Sequence, residues 1–226
     1  MSEPLPVLAG VRPASSEDVA GSVLPVAPVI RPVLPWPGLR RGATITVSSM
    51  ALLFTLLAPV TAAGGWAAVV GMPTVSVVAA AEAGVVVERM PLVPRPGDAL
   101  GAVVDALVDG MDVVAVAGLI GLRPQEIRKV TARARQRGTV LMSVHAQDRW
   151  PGADLELRLA GGRWRGLGAG HGHLLAREVE VRASGRGAAA RPRSTSALLP
   201  GPGGLVAEAT VTWGRGAAAV VGPGCA

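Results

Sequence analysis

Aromatic side chains are nearly missing from this 226-residue chain, which has five tryptophans, one phenylalanine and no tyrosine. A core made from what remains, chiefly Ala, Val, Leu, Gly and Pro, is aliphatic and tightly layered, and such a composition suits buried parallel strands. Cysteine occurs once, at Cys225, so no intramolecular disulfide can form and nothing points to an oxidising compartment. Histidine occurs three times, at His145, His171 and His173. The i, i+2 spacing of the last two would place two ligands on one strand face, but a zinc site takes four ligands and the tail cysteine and sparse acids do not supply them. Both are therefore read as loop residues. No serine sits in a nucleophile elbow, and no pair of carboxylates can be placed beside a histidine.

Charge is absent between Arg41 and Glu82, which raises the question of a membrane span. A spanning helix needs about 20 apolar residues in a row. Ser48, Ser49, Pro59, Gly64, Gly65, Gly71 and Pro73 break this run as turns and caps would, and its best apolar piece, Met50 to Leu57, is far too short. Near the N-terminus stand Glu3, Pro4, Pro6, Pro13 and Pro25, with no basic segment leading into an apolar one. A signal peptide is not expected there, and a cytoplasmic setting without a membrane is.

What is present is unevenly charged. Up to position 120 there are 6 basic and 9 acidic residues; beyond it there are 16 and 7, so the halves carry −3 and +9. All the basic residues but Lys129 are arginines. A basic half of this kind fits phosphates or acidic partners, and equally a solvated surface.

The length suits one main domain. Residues 1–37 contain 8 of the 19 prolines, which block regular ladders, and are read as an extended arm ending in "LPWPGLRRG". A core over 38–183 follows, and 184–226 reads as a Gly/Pro/Arg-rich tail, partly disordered. Within the core the rhythm is strand, helix, strand. Thr44 to Val47, Trp66 to Val70, Met90 to Val93, "MDVVAVAG" and "TVLMSV" read as strands. Met50 to Ala63, bent or ended by Pro59, reads as a helix, as do a segment from a Thr74 cap to Ala83 and the segment Asp98 to Asp109. Another helix runs from Pro124 in its first turn to an exit at Gly138, with Ile127, Val130 and Ala134 as its inward stripe. Arg128, Lys129, Arg133, Arg135 and Arg137 largely take its other faces. After about residue 150 polar and apolar residues alternate (Asp154 to Leu159, Leu174 to Val181), "AGG" reads as a turn, and antiparallel strands with one wet face are expected. "SGRGAAARPRSTS" reads as loop, and Val206 to Trp213 as one further strand. The fold class is α/β: a mostly parallel sheet flanked by helices, with antiparallel strands in the C-terminal part.

Four phrases carry a resemblance: "LPWPGLRRGATITV", "AAEAGVVVERMPLVPRPGDALGAVVDALVDGMDVVAVAG", "ARARQRGTVLMSV" and "WRGLGAGHGHLLAREVEVRASGRGAAARPR". Over roughly residues 34 to 193 the chain resembles the RecA-like family, and within it the shortened actinobacterial ImuA-type accessory proteins of damage-induced mutagenesis. The resemblance implies a RecA-like core, and it also shows what has been lost. A phosphate loop needs glycines that expose backbone N–H groups, a lysine for the outer phosphates and a hydroxyl for magnesium. The corresponding place holds Ser48, Ser49 and Met50, whose two hydroxyls are read as a helix cap. The family's metal-binding aspartate is replaced by Ala117 at the end of "DVVAVA", and "VVGMP" stands where its water-activating glutamate belongs. ATP hydrolysis and a bound cofactor are therefore not expected.

The resemblance further implies support of translesion synthesis in the SOS response, with a Y-family-like mutasome protein and a damage-inducible C-family DNA polymerase as partners. DNA is a further candidate partner, because loops near "GLGAGHGH" touch DNA in RecA-like ATPases. Arg163, Trp164, Arg165, Arg182, Arg186, Arg191 and Arg193 are then candidates for phosphate or acidic-partner contact, alongside the five basic residues of the Pro124 to Arg137 helix. Two rivals remain: a DNA-dependent ATPase with an unconventional nucleotide site, and a damage-induced cell-division inhibitor.

Overall fold

Strand β1 (Val23–Leu24) pairs antiparallel with β2 (Leu39–Arg40), and a 3-10 turn at Arg31–Val33 lies between them. The computed structural model describes residues 23–117, 119, 121–144, 149–167, 172–209 and 218–221. The main sheet has ten strands. Its parallel part comprises β3 (Thr44–Val47), β4 (Ala67–Val70), β5 (Leu92–Val93), β6 (Val113–Ala117) and β7 (Val140–Val144). β8 (Leu155–Leu167) pairs parallel with β3 and antiparallel with β9 (Gly172–Gly185). β10 (Arg193–Leu198), β11 (Ala207–Glu208) and β12 (Ala218–Val221) complete it, in the order β11-β10-β9-β8-β3-β7-β6-β4-β5 with β12 on the free edge of β8. The sheet is thus mostly parallel where helices flank it, and antiparallel in the C-terminal part.

β3, β4 and β7 are buried along their whole length, as strands covered on both faces must be. On one face lie α1 (Met50–Ala62) and α2 (Val77–Glu82), packed on Ile45, Val47, Val69, Ala115 and Met142. On the other lie α3 (Leu100–Leu107) and α4 (Pro124–Arg137), packed on Ala68, Val70, Val114, Val116 and Leu141. α4 matches its expected span, with Ile127, Val130 and Ala134 buried and Gly138 closing it at φ +75°, a conformation that costs glycine least. Pro59 does not end α1, which runs three residues further to Ala62. α2 is capped by Ser76, whose Oγ accepts the Ala79 N–H at 3.1 Å, instead of by Thr74.

Three expectations change. Residues 23–37 are not an arm: Ile30, Val33 and Leu34 are almost fully buried, and the Arg31–Val33 turn packs against β9 and β10. Regular pairing there is confined to Val23–Leu24, and the prolines that follow do not prevent side chains from covering the dry face of an antiparallel strand pair. Residues 1–22 lie outside the described residues. "AGG" does not turn the chain, because Gly161 (φ +65°) and Gly162 (φ +156°) form an irregularity within β8, where the register with β9 shifts between Ala160 and Arg163. Finally, the segment after Ser184 contains β10, paired with β9 from Arg193–Ala183 to Leu198–Glu178. Of the strand expected over Val206 to Trp213, Ala207–Glu208 is present and 210–213 lie outside the described residues.

Candidate functional site

The junction between β3 and α1 is two residues long. The Ser48 N–H donates to the Leu157 carbonyl at 3.0 Å, and Ser48 Oγ accepts the Leu159 N–H at 3.0 Å. Ser48 therefore prolongs the pairing of β3 with β8 and is not a helix cap. Ser49 is the cap: it is extended (φ −157°), and its Oγ accepts the Leu52 N–H at 3.3 Å. Met50 packs on the core. No run of outward-facing N–H groups precedes α1, so the junction lacks the cradle that a phosphate loop provides. At the neighbouring strand ends, Met72 after β4 is buried and Ala117 of β6 is half-buried.

The other face of β3 is polar and fully occupied. Asp154 accepts both the backbone N–H (2.9 Å) and the hydroxyl (3.1 Å) of Thr44, and pairs with Arg40 at 3.5 Å. Thr46 Oγ1 and Ser143 Oγ are 2.9 Å apart, and the Trp150 N–H points to both. The Trp150 indole is buried, and its Nε1–H donates to Thr131 Oγ1 at 2.8 Å. Trp150 thereby pins the segment after β7 against α4.

The five basic residues of α4 separate into two groups. Lys129 reaches Asp105 at 3.0 Å, Arg133 bridges Asp105 (3.3 Å) and Asp109, and Arg137 reaches Asp109 at 3.0 Å. Asp105 and Asp109, one turn apart on and just after α3, thus absorb three of the five. The Arg133 guanidinium, as hydrogen-bond donor to Asp109, holds that carboxyl below its usual range. Arg128 and Arg135 have no ionic partner among the described residues. At the start of α4, Glu126 accepts the Arg123 backbone N–H (2.8 Å) and guanidinium (2.9 Å), which lowers its pKa to about 2.

The later candidates are scattered. Arg165 pairs with Glu178 at 2.5 Å and Arg182 with Glu180 at 2.7 Å, on the wet face of the β8–β9 hairpin. Trp164 is half-buried, with the Arg177 guanidinium 6.0 Å from its ring centroid. Arg193 donates to the Leu34 carbonyl at 2.7 Å, which ties β10 to the segment before β2. Arg163 and Arg191 are exposed and have no ionic partner among the described residues. Arg186 alone of this group meets α4: with Arg128 and Arg135 it lines a groove of about 490 Å³ bounded by Pro151 and Gly152. His173 stands on β9 instead of in a loop and is exposed, His145 and His171 lie outside the described residues, and no group of three metal-ligating side chains occurs among the described residues. Among those residues no helix is long and apolar enough to cross a membrane.

The family described as the MT3502 N-terminal domain matches residues 32–152, more than half of the chain. The chain belongs to this family. The matched domain begins inside the Arg31–Val33 turn, takes in all of β3 to β7 with the four helices, and stops at the turn after Trp150. It therefore coincides with the parallel part of the sheet, and β8 onward lies beyond it. A Mycobacterium tuberculosis protein named uncharacterized protein Rv3395c is 40% identical over 142 residues, a stretch that covers 61% of this chain and 64% of that relative. The match thus spans less than two thirds of the relative's own length.

Sequence reasoning did not single out Asp105, Asp109, Trp150 or the Thr46–Ser143 pair. A signal existed for the first two: carboxylates four apart at the end of one helix pattern, followed by a helix whose basic residues recur at the same interval.

Proposed function

We propose that this chain is a RecA-like protein without ATPase activity that acts as an adaptor in damage-induced translesion DNA synthesis. In this reading it works in the cytoplasm without a cofactor. Its partners are the Y-family-like protein of the mutasome and, through it, the damage-inducible C-family DNA polymerase and the sliding clamp. Support comes from the phrase-level resemblance and from one local observation, that the N–H and the Oγ of Ser48 are both engaged by β8. The carboxyl end of a parallel strand opening into a helix is where an open α/β sheet ordinarily receives a phosphate. Here β8 engages the first residue of that junction, and in this reading the chain acts through contact with other molecules.

Calorimetric titration with ATP and magnesium, with and without single-stranded DNA, tests the reading directly. The expected result is no saturable heat and no turnover. DNA-stimulated hydrolysis that is abolished by a substitution within Ser48–Met50 would overturn it. Full-length tagged chain recovered from damaged cells is expected to carry the mutasome polymerase with it.

A further inference from the structure

The groove between α4 and the Pro151–Gly152 turn combines two properties. Its lining includes the apolar side chains of Pro124, Ile127, Ala132 and Pro151, of which Ile127 is buried, beside Thr131. Its rim carries the guanidinium groups of Arg128, Arg135 and Arg186, all exposed and none with an ionic partner among the described residues. Arg128 and Arg135 lie two turns apart on α4, about 10 Å along its axis at 1.5 Å per residue. Arg186 comes from the far side, just after β9, and lies over Gly152, where a Cβ would stand 3.3 Å from both of its terminal nitrogens. The contrast with the rest of α4 is informative: its other three basic residues are neutralised by the two carboxylates of the neighbouring helix.

We propose that this groove docks an acidic amphipathic segment of a partner protein, with an apolar side chain seated against Ile127 and carboxylates held by Arg128, Arg135 and Arg186. Arginine suits this role because its planar fork takes a carboxylate in a bidentate manner, and an apolar floor between basic rims is the receiving half of helix-in-groove recognition. Nucleic acid fits less well. The aromatic ring nearest the groove, Trp150, is buried and its N–H is already engaged by Thr131, so no ring face is offered to a base.

The inference deepens the adaptor reading and rests on it for the identity of the partner, but its test is separate. Full-length chain is titrated by fluorescence anisotropy against three probes: a short labelled peptide with leucines between glutamates, its counterpart with lysines for glutamates, and labelled oligothymidylate. Saturable binding of the acidic peptide alone is expected, weakened at least tenfold in Arg128→Glu/Arg135→Glu and unchanged in Arg191→Glu, with circular dichroism melts verifying that each variant folds. Overturning results are an acidic peptide that does not saturate, equal weakening by Arg191→Glu, or oligothymidylate binding with the peptide silent. A concentration-dependent dimer abolished by the same double variant would likewise overturn it, in favour of a second copy as occupant. If wild-type and double variant recover the mutasome polymerase equally well from damaged cells, the groove proposal fails and the adaptor reading stands. If neither recovers it while the peptide still binds, the adaptor reading fails and the groove remains.

Discussion

Ile45 and Thr46 are neighbours on β3, point to opposite faces of the sheet, and are held by different means. Ile45 belongs to an uninterrupted dry layer that runs from Ala67 and Val69 through Leu155 and Leu157 to Val179, Val181 and Ala197. α1, α2 and the segment from Leu24 to Leu34 cover it. Thr46 faces the side of α3 and α4, where the layer is aliphatic only beneath those helices. From β7 onward Thr44, Thr46, Ser143 and Glu156 replace the aliphatic residues, and Trp150 and Asp154 satisfy the threonines and Ser143. The first face is fixed by volume and the second by pairing. A face built by pairing also has an edge where the partners run out, and Arg128, Arg135 and Arg186, without ionic partners among the described residues, stand at that edge.

The contrast predicts different costs. Leu57→Ala in α1 removes a side chain with 0% exposure from the dry layer, and the loss is expected at about 2–5 kcal/mol, read from urea unfolding. A cost below about 1 kcal/mol would mean that the layer collapses onto the gap and is not fixed by volume. Thr46→Val preserves volume on the opposite face but leaves Ser143, itself 0% exposed, without its hydroxyl partner. The Trp150 N–H still reaches Ser143 Oγ, so about 0.5–1.5 kcal/mol is expected, from the loss of one buried hydrogen bond. A stabilised Thr46→Val would show that the polar seam is held by shape after all.

How much of this was legible in the sequence follows the same division. Most of the parallel strands could be read because being apolar on both faces is a local property, β3 because its run of Thr, Ile and Val is β-branched, and α4 because Pro124, the Ile127–Val130–Ala134 stripe and the closing Gly138 are contiguous. β10 was not legible: "RSTSAL" has few apolar residues and becomes a strand because β9 offers it an edge. The burial of Ile30, Val33 and Leu34 was hidden for a similar reason, since the surface they cover is built by strands more than 140 residues later. The Ser48–Ser49 junction was legible as a place without a phosphate cradle, but not in its detail, because the partner of Ser48 is Leu159 of β8. Of the basic candidates, type and helix face could be read from spacing. Which ones α3 would neutralise depended on a helix packing that no local pattern records.

Asp109 sharpens the comparison by a change of pH. Its folded-state pKa lies below 3.8, chiefly through the hydrogen bond from Arg133, so the ionised carboxylate favours the folded chain. That contribution is complete above the unfolded value and is lost as pH falls through the folded one. Asp109→Asn is therefore expected to lower the thermal midpoint at neutral pH by less than Thr46→Val does, with the gap to wild type closing as pH drops below about 4. A gap that holds constant into strong acid would show that Asp109 acts through packing and not through its charge.

The smallest effect is the most discriminating, because it separates two arginines on one helix. Arg133 is bound by two carboxylates and is about one-third exposed, whereas Arg135, two positions on, faces the groove with no ionic partner among the described residues. If the basic face of α4 were uniform and merely solubilising, removing either would matter equally little. With the face divided, Arg133→Ala lowers the thermal midpoint because it leaves Asp105 and Asp109 poorly compensated, while Arg135→Ala stays within about 0.5 kcal/mol of wild type, as for a surface residue that makes no specific contact. Arg135 would then be a residue the fold does not use, on a helix where the other basic positions toward α3 are all engaged. Equal midpoints for the two variants would erase the division of α4 into a structural and an available half.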